Sequence, residues 1–401
     1  MPLIHKKPKL DASRNLSERC RESPHSMMAQ LVGMAAEHPE IINFGPGEPN
    51  FPTPKHIIEK TKQSLDQGFT HYAPPEGMAE LKKAIAEKLR KENKISIHSP
   101  HEQIVVTTGS TEAMLLATMC LVDAGEEAII PNPSFLAYVP TIEMANGFAQ
   151  AIPLHARDGF QLSAEEISKA VSEKTRCIVL CTPSNPTGTV LKRKVLEEVA
   201  DVAIENNLVV LSDEAYEHFV YDGAKHVSMA SLNGLEDRVL TMQSFSKTYA
   251  MAGFRIGYAA GPPWLVEKMT QLHVYSTLAS PTIGQRAALH ALQGPQDSVK
   301  EMRDEYNHRR KALLKRIREV PGLHVEKEPE GAFYIFPKFD YKMTSFELCR
   351  YLIREAKVLT VPGKEFGRYG EGFIRFSYST TIEKIGEGMD RVEKALRKLK
   401  R

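Results

Sequence analysis

The sequence contains few cysteines and no arrangement of them that would form disulfides. Its 401 residues include five cysteines, an odd and scattered set that differs from a disulfide framework. Cys177 and Cys181 come closest together, but their separation along a predicted strand is about 13 Å, too far for a bond. The sequence therefore predicts a reduced, cytoplasmic protein.

The sequence also lacks a long apolar run and an excess of charge of either sign. No segment approaches the roughly 18 apolar residues that a membrane span needs, and the polar residues 1–23 lack the apolar core of a secretory signal. The 52 basic and 50 acidic residues leave a formal net charge of +2, which creates no strong field toward nucleic acid or a membrane surface. We therefore predict no nucleic-acid or membrane partner.

The histidines are scattered as well, and none belongs to a set with the spacing of metal ligands. The "HSPH" segment at 98–101 offers two histidines in a proline-containing loop with no third ligand nearby. We interpret this segment as a solvated loop, and we predict no metal site.

What the sequence does contain is a repeated order of apolar strand, loop and helix. Segments 103–125, 175–188 and 208–216 each begin with an apolar strand, and 77–94 and 195–207 have the amphipathic period of helices. Strands that alternate with helices form a largely parallel sheet covered on both faces. The predicted fold class is therefore α/β with a mostly parallel central sheet.

The pattern changes after about residue 290, where a long charged helix is followed by half-exposed strands beside helices. We interpret this part as a smaller α+β domain, which the proline- and glycine-rich N-terminal residues are predicted to join. The predicted organisation is an N-terminal segment at 1–59, a large α/β domain at 60–293 and a small C-terminal α+β domain at 294–401.

Residues with useful chemistry follow the predicted strands, at the edge where open α/β sheets bind ligands. Because the carboxyl ends of parallel strands meet at one edge, we expect these residues to surround one crevice. They combine a helix start, hydroxyls, one carboxylate, one lysine and one arginine, namely Gly109, Ser110, Thr111, Asn185, Asp213, Tyr216, Ser244, Ser246, Lys247 and Arg255.

Each of these residues also has an ordinary explanation when it is taken alone. Gly109, Ser110 and Thr111 open a predicted helix whose free N–H groups suit a phosphate, but such residues also cap ordinary helices. Asp213 could equally form a structural salt bridge. A lone lysine such as Lys247 is usually a surface charge, whereas burial would lower its pKa and make it a nucleophile able to form a Schiff base.

Taken together, the residues fit a single ligand that carries a phosphate, a basic ring nitrogen and an aldehyde. Asp213 would face the ring nitrogen and Lys247 would hold the aldehyde, while the phosphate would lie against Ser244, Ser246 and Arg255. Pyridoxal 5′-phosphate has all three groups, and it is the predicted cofactor.

Six motifs strengthen this interpretation because they resemble those of a known family in the same order. They are "GEPNFPTP", "HYAPPEGMAELKKAIA", "PSNPTG", "SDEAYEHF", "SFSKTYAMAGFRIGY" and "IRFSYST". The chain resembles the class I aminotransferases of pyridoxal-phosphate fold type I, and within them the prokaryotic aspartate and aromatic aminotransferase subgroup. The resemblance extends from about residue 25 to the end, and it implies that fold for the chain.

The resemblance implies how the cofactor would be held. Lys247 would bind its aldehyde and later move a proton during the reaction, and Asp213 would pair with its ring nitrogen. Asn185 and Tyr216 would hydrogen-bond the ring's 3′-oxygen. Phe135 would stack on the ring, although alone it would be interpreted as a core aromatic. The residues expected around the phosphate are Gly109, Ser110, Thr111, Ser244, Ser246 and Arg255.

The resemblance also implies how the substrate and a second subunit would be bound. Gly47 would bring backbone close to the substrate carboxylate, and Arg375 would clamp that carboxylate through a bidentate pair, with Phe135 and Asn185 beside it. Without the resemblance, Arg375 would be interpreted as a solvent-facing strand residue. Tyr72 would reach the phosphate of the partner subunit's cofactor, so a homodimer is expected.

The predicted function is transfer of an amino group from an L-amino acid, aspartate or aromatic, to a 2-oxo acid such as 2-oxoglutarate, by a ping-pong mechanism. Thr111 is neutral where some acid-preferring relatives carry a lysine, which weakens a strict preference for aspartate. Two alternatives stay open, a pyridoxal-phosphate-dependent carbon–sulfur β-lyase on the same fold and a non-catalytic regulator that binds pyridoxal phosphate.

Overall fold

The structure, a computed structural model, describes residues 15–17, 20–21, 26–36 and 38–399. In chain order the strands are β1 (Ile42–Asn43), β2 (Ile104–Thr107), β3 (Glu127–Asn132), β4 (Phe148–Pro153), β5 (Thr175–Cys181), β6 (Val209–Asp213), β7 (Val239–Ser244), β8 (Gly257–Ala260), β9 (Leu323–His324), β10 (Tyr334–Ile335), β11 (Lys338–Phe339), β12 (Val358–Leu359), β13 (Val361–Pro362) and β14 (Ile374–Ser377). The α-helices from residue 27 onward are α1 (Met27–Ala36), α2 (Lys55–Asp66), α3 (Ala79–Lys88), α4 (Pro100–Gln103), α5 (Ser110–Leu121), α6 (Tyr138–Met144), α7 (Ala164–Ala170), α8 (Arg193–Glu205), α9 (Phe245–Thr248), α10 (Pro263–Ser276), α11 (Thr282–Gln293), α12 (Asp297–Glu319), α13 (Ser345–Ala356) and α14 (Ile382–Leu396).

Seven strands form the central sheet, in the order β2-β8-β7-β6-β5-β3-β4. Neighbouring strands are parallel except at β8, which is antiparallel to both β2 and β7. The carboxyl ends of the other strands therefore meet at one edge of the sheet, and the start of β8 lies at that same edge. The predicted α/β fold with a mostly parallel sheet is confirmed.

Both faces of the sheet are covered by helices because the strand residues alternate between two apolar clusters. In β5, Cys177 and Val179 join one cluster with residues of α5 and α10, whereas Ile178 and Leu180 join another with residues of α7 and α8. Successive side chains of a strand point to opposite faces, so a strand buried on both sides is apolar at nearly every position. This explains the near-continuous apolar sequence of the strands.

The helices differ slightly from their predicted bounds. The helix predicted at 195–207 is α8, which is shifted by two residues toward the N-terminus. The helix predicted at 77–94 is α3 followed by a π-helical turn, Leu89–Asn93, and the chain leaves it at Lys94 with a left-handed φ of 61°. Its predicted apolar stripe is buried, since Leu81 and Ile85 are inaccessible to solvent.

A second region is formed by residues after α11 together with those around β1, and its apolar core also includes residues of the sheet region such as Tyr216 and Phe219. In this region β1 pairs in parallel with β12, while β10, β14 and β13 form an antiparallel sheet and β11 pairs with β9. Phe44, next to β1, is fully buried and its ring centroid lies 5.6 Å from that of Phe376. The three-part division at 1–59, 60–293 and 294–401 stays a proposal, which these contacts support.

Backbone hydrogen bonds join the second region to the sheet region near β10. The Ala332 N–H donates to the Phe219 carbonyl and the Tyr221 N–H donates to the Glu330 carbonyl, both at 2.9 Å. Just after this junction, the Tyr334 hydroxyl of β10 lies 2.8 Å from the hydroxyl of Tyr216. The second region therefore contributes side chains to the site that is built on the sheet edge.

All five cysteines are free thiols, in agreement with the predicted absence of disulfides. Cys177 and Cys349 lie in apolar clusters, where burial raises the pKa of each thiol to about 12. Within the described residues, no helix combines the length and apolar character needed to cross a membrane.

Candidate active site

A cavity of about 490 Å³ lies at the carboxyl edge of the central sheet and is closed on one side by the second region. Every site residue predicted from the sequence lines this cavity, except Tyr72. The lining members of the predicted set are Gly47, Gly109, Ser110, Thr111, Phe135, Asn185, Asp213, Tyr216, Ser244, Ser246, Lys247, Arg255 and Arg375. The sequence interpretation therefore brought together residues that the fold places around one space.

Lys247 lies in the short helix α9, which follows directly from the end of β7. Its Nζ donates a hydrogen bond to the Gly47 carbonyl oxygen, and the residue is partly exposed and lines the cavity. Burial lowers the pKa of the amine to about 8; the nearby charges act in both directions, with Arg375 favouring the neutral form and Glu48 opposing it. The lowered pKa expected from the sequence is thus present in the structure.

Asp213 ends β6 and is held by two donors on either side of its carboxylate. The Tyr138 hydroxyl donates to Oδ2 at 2.8 Å, and the Ala215 N–H donates to Oδ1 at 3.1 Å. Burial raises the pKa of Asp213, and these two hydrogen bonds oppose that rise because they stabilise the ionised form. The arrangement fixes the plane of the carboxylate and helps to keep it negative beside the cavity.

Gly109 and Arg255 meet at the end of the cavity where α5 begins. Gly109 has a φ of +80°, and a Cβ added there would lie only 2.7 Å from Arg255 Nη2, so a side chain at this position would displace the guanidinium. The Arg255 Nη1 donates to the Ala252 carbonyl at 3.0 Å, and the Ser246 N–H donates to Ser244 Oγ at 3.2 Å. A guanidinium, two serine hydroxyls and a helix N-terminus thus face one space, which suits an oxyanion such as a phosphate.

Arg375 lies on β14 and reaches the cavity from the second region. Its side chain is only 4% exposed, Nη1 donates to Asn185 Oδ1 at 2.8 Å and Nη2 donates to the Gly45 carbonyl at 2.5 Å. The rings of Tyr334 and Phe366 lie 4.4 and 5.0 Å from the guanidinium carbon, and burial lowers the pKa of the arginine. Nε is buried and has no hydrogen-bond partner among the described residues.

The local sequence alone would make Arg375 a solvent-facing strand residue, whereas the family resemblance predicts it at the site, and it lines the cavity. All four residues of β14 are buried, so both faces of the strand are covered, and the strand also lies between β10 and β13 in its three-stranded sheet. A strand with alternating apolar and charged residues can have its charged face either in solvent or against an internal cavity. The alternating pattern is the same in both cases. The role of Arg375 as a carboxylate clamp stays a proposal.

Asn185, Tyr216 and Phe135 form another part of the wall. Asn185 accepts the Arg375 bond through Oδ1, which leaves Nδ2 as its donor. The Tyr216 and Tyr334 hydroxyls lie 2.8 Å apart, and burial raises the pKa of Tyr216 well above its usual value. Phe135 is partly buried, with its ring edge-on to Tyr138 at 5.6 Å between centroids.

Tyr72 does not line this cavity. Its side chain is 82% exposed, and it lies in a surface groove with Leu65, Phe69 and residues 279–283. The prediction placed Tyr72 against a partner subunit's cofactor, and its exposure leaves that contact as a proposal.

The sequence interpretation missed several residues that line the cavity or support it. Tyr138 lies in the "NPSFLAY" segment, but nothing in that segment indicates that its hydroxyl reaches Asp213. Tyr334 and Met28 come from distant parts of the chain, so only the tertiary fold brings them to the site. The lining residues absent from the predicted set are Met28, Gly45, Pro46, Glu48, Leu136, Cys181, Ala215 and Ala252.

Comparison with known proteins gives one family. Residues 39–392 match the family described as aminotransferase class I and II. An aspartate aminotransferase from Pyrococcus abyssi is 45% identical over 388 residues, which cover 96% of this chain and 99% of that protein. An aromatic-amino-acid aminotransferase 2 from Thermococcus litoralis has the same identity and the same coverage of both chains.

Solved structures agree with this assignment. An aromatic aminotransferase from Pyrococcus horikoshii OT3 has a TM-score of 0.86 and 42% identity, and the match covers 92% of this chain and 99% of that one. A Thermus thermophilus aspartate aminotransferase with maleate has a TM-score of 0.90 and 33% identity, with 96% and 100% covered. The resemblance seen in the six motifs is confirmed. The chain belongs to the class I and II aminotransferase family, and it is an aminotransferase.

Proposed function

We propose that this aminotransferase takes the amino group from aspartate or an aromatic L-amino acid and gives it to a 2-oxo acid such as 2-oxoglutarate, with pyridoxal 5′-phosphate as its cofactor. One observation carries the proposal: the amine of Lys247, the carboxylate of Asp213 and the guanidinium of Arg375 border a single cavity. The names of the relatives from Pyrococcus abyssi and Thermococcus litoralis support the two donor classes.

The residues present fit pyridoxal phosphate at both ends. Gly109 leaves the space that a Cβ would fill, so the Arg255 guanidinium can approach the start of α5, where a phosphate would be held. At the other end, the fixed Asp213 carboxylate would accept a hydrogen bond from a protonated ring nitrogen, and Lys247 would meet the aldehyde. When bound, the cofactor supplies a ring that accepts the electron pair left on the substrate α-carbon after its proton is removed.

The substrate carboxylate would bind Arg375. Its guanidinium is fixed by Asn185, by the Gly45 carbonyl and by the flanking aromatic rings, so little side-chain entropy remains to be lost on binding. A planar guanidinium can hold a carboxylate through two parallel N–H bonds. The carboxylate and the α-carbon of the substrate would thus be oriented relative to Lys247 before the reaction begins.

Lys247 would move the proton at the substrate α-carbon. Because burial lowers the pKa of its amine to about 8, about a tenth of the amine is neutral at pH 7 and can accept a proton. The same group, once protonated, can return the proton to another atom within reach. The reaction would then run in two halves, the first with the donor amino acid and the second with the acceptor 2-oxo acid. This is a ping-pong mechanism.

We also propose that the enzyme is a cytoplasmic homodimer in which Tyr72 contributes to the partner's site. Support for an interface comes from the exposed ring of Tyr72 and from Tyr275, which is 89% exposed, and Leu278; the last two directly precede residues 279–283 of the groove that Tyr72 lines. Support for the compartment comes from five free thiols without a disulfide. The β-lyase and regulator alternatives gain no support from the relatives described above, which are named aminotransferases.

The test is an assay of the protein loaded with pyridoxal phosphate. Aspartate and phenylalanine are each supplied with 2-oxoglutarate, and glutamate is measured. Without an oxo acid, each active site should consume about one donor molecule and stop. Failure of both donor classes to yield glutamate would overturn the proposal. Release of pyruvate and ammonia from cystathionine without an oxo acid would identify a lyase instead.

A further inference from the structure

We propose that Glu112 is a positioning residue for the cofactor phosphate: it holds the turn before α5 in the shape that binds the phosphate, and it ties that turn to the end of α10. This inference rests on the proposed function, since the phosphate is that of pyridoxal 5′-phosphate. It comes from a buried carboxylate that does not line the cavity and that the proposed reaction does not use.

Glu112 closes the turn from which α5 begins. It lies in the first turn of that helix, and its Oε2 accepts a hydrogen bond from the Thr108 N–H at 2.6 Å. The Thr108 carbonyl in turn accepts a bond from Arg255 Nη2 at 3.5 Å. Glu112 and the guanidinium that would bind the phosphate therefore hold the same residue from two sides.

The turn at 108–110 is also confined by β8. A Cβ on Gly257 would lie 2.7 Å from the Ser110 nitrogen and 2.7 Å from the Gly109 carbonyl carbon, so a side chain there would displace the turn. The shape of the turn is thus limited by the backbone of β8 on one side and by the Glu112 bond on another. Loss of either contact would change how the free N–H groups of α5 point at a phosphate.

The other carboxylate oxygen of Glu112 is held by residues at the end of α10. Oε1 accepts hydrogen bonds from Ser276 Oγ at 3.0 Å and from Thr277 Oγ1 at 3.1 Å, and His273 Nδ1 lies 3.1 Å from it. Burial raises the pKa of Glu112, but the hydrogen bonds from His273 and Thr108 outweigh burial and lower the pKa to about 2. The acid is therefore ionised at neutral pH and acts as an acceptor.

The charge of Glu112 by itself would oppose the binding of a phosphate. An ionised carboxylate in the first turn of α5 repels an anion held at the start of that helix. The hydrogen bonds to this one acid include a backbone N–H of the phosphate turn, which indicates that the acid serves to fix geometry. Positioning and repulsion thus predict opposite effects when the charge is removed.

The segment that follows α10 joins this network to the surface groove lined by Tyr72. Ser280 Oγ donates to the Val106 carbonyl of β2 at 3.0 Å, and Thr282 Oγ1 donates to the His71 carbonyl at 2.6 Å. In the proposed dimer, a phosphate held by this turn is also contacted by Tyr72 of the partner subunit. That contact comes from another chain and does not pass through Glu112, so the two contributions should be independent.

The test titrates cofactor-free protein with pyridoxal 5′-phosphate and, separately, with pyridoxal, which has the ring and the aldehyde but no phosphate. Glu112→Gln keeps the size of the side chain but cannot accept hydrogen bonds at both ends, because an amide has one acceptor oxygen. We expect it to weaken pyridoxal phosphate binding about 5- to 20-fold and to change pyridoxal binding less than about twofold. Absorbance measures both affinities.

The matched control is Glu371→Gln. Glu371 also accepts hydrogen bonds at the start of a helix, from the Ser345 N–H at 2.6 Å and from Ser345 Oγ at 3.0 Å, but it does not line the cavity. This control should change neither affinity. Equal weakening of both ligands by Glu112→Gln would make Glu112 a general structural residue, and tighter binding of pyridoxal phosphate would make repulsion its main effect. Either result would overturn the proposal.

A milder variant keeps the carboxylate and removes two of its donors. Ser276→Ala combined with Thr277→Val should weaken pyridoxal phosphate binding about two- to fivefold, although neither residue lines the cavity. Hydrogen exchange of the Thr108 amide should be faster in this variant and in Glu112→Gln than in the unsubstituted protein. Unchanged affinity and unchanged exchange in the milder variant would overturn the connection to α10.

The contribution of the partner subunit is measured separately. Tyr72→Phe should also weaken pyridoxal phosphate binding, and its factor should multiply with that of Glu112→Gln because the two contacts are independent. Sedimentation velocity at the titration concentration gives the oligomeric state of each variant. A loss of affinity confined to conditions in which a dimer dissociates would assign the effect to Tyr72 and overturn the role of Glu112.

Two failures can be told apart by the unsubstituted protein. If it does not bind pyridoxal phosphate, the proposed function fails. If it binds the cofactor and Glu112→Gln binds it equally well, the positioning role of Glu112 fails while the proposed function stands.

Discussion

Two lysines at different places in the sheet region, Lys247 at the cavity and Lys82 within a helix contact, show that a lowered pKa does not by itself make an amine reactive. Burial lowers the pKa of each amine from the usual 10.5 to about 8. Lys82 lies on α3, is 1% exposed and donates a hydrogen bond to the His101 carbonyl at 2.8 Å. Lys247 faces a cavity with charged groups around it. A neutral amine is therefore not sufficient for catalysis, because it must also be accessible to a substrate.

The surroundings of the two amines explain the difference. Near Lys82 the charge of Glu76 affects its pKa, and the amine is enclosed between α3 and α4. Near Lys247 the pKa is affected by Arg375, Arg255, Asp213 and Glu48, groups suited to bind a zwitterionic substrate and an anionic cofactor. The first arrangement stabilises a contact between two helices, and the second is suited to hold charged ligands.

The strongest way to break this comparison is to remove each amine. Lys247→Ala should lower turnover about 10⁴-fold, because the group that moves the proton is lost. Lys82→Met keeps a similar volume in a buried position and should keep turnover within about twofold. Steady-state glutamate formation measures both. Comparable losses in the two variants would contradict the assignment of catalysis to the cavity.

Chemical modification of the cofactor-free protein sharpens the comparison. A pKa of about 8 makes the neutral fraction of an amine at pH 7 about 300-fold larger than at a pKa of 10.5. Acetic anhydride should therefore modify Lys247 faster than surface lysines, with a rate that rises with pH and levels off above about pH 8. Lys82 should stay unmodified because reagent cannot reach it. Peptide mass spectrometry quantifies both sites, and equal labelling of the two would refute the argument from access.

The smallest effect extends the comparison to the carboxylate that faces Lys247. Tyr138→Phe removes a donor to ionised Asp213, so the pKa of Asp213 should rise and pyridoxal phosphate should bind about five- to tenfold more weakly. The weakening should be greater at acidic pH, where more Asp213 is protonated. Absorbance titration of cofactor-free protein measures the affinity.

A matched control for that change is Tyr306→Phe. Tyr306 is also buried, and its hydroxyl lies 3.2 Å from Ser379 Oγ, outside the cavity lining. This control should lose a similar hydrogen bond without a change in cofactor affinity. Equal weakening in both variants would assign the effect of Tyr138 to stability alone.

Much of the sheet edge could be predicted because its residues follow directly from strands. Asp213 ends β6 and Ser244 ends β7, so an apolar run followed by a polar residue already gives their approximate position. Local motifs and the family resemblance together placed Lys247 and Arg255 at the same edge. The chemistry of the site was thus largely encoded in short segments of sequence.

Other parts of the site could not be predicted because they depend on contacts between distant segments. The strand pattern alone would make Arg375 a solvent-facing residue, because it does not show that both faces of β14 are buried; only the family resemblance assigns Arg375 to the site. Tyr138 contacts Asp213 across 75 residues of sequence. Ser26 Oγ and the Met27 N–H, next to Met28, donate hydrogen bonds to the Glu365 carboxylate, more than 330 residues away. Periodicity reports which residues are buried, but it carries no information about which buried side chains meet.

The reversed direction of β8 has a consequence for the size of ligand that the protein accepts. Because β7 and β8 are antiparallel neighbours, with Ser244 paired to Gly257, the segment between them carries Lys247 at its start and Arg255 near its end. The length of this segment limits how far apart the Lys247 amine and the Arg255 guanidinium can lie. An insertion or deletion in this segment would change the distance between the amine and the guanidinium. The segment therefore limits the length of a molecule that can contact both groups.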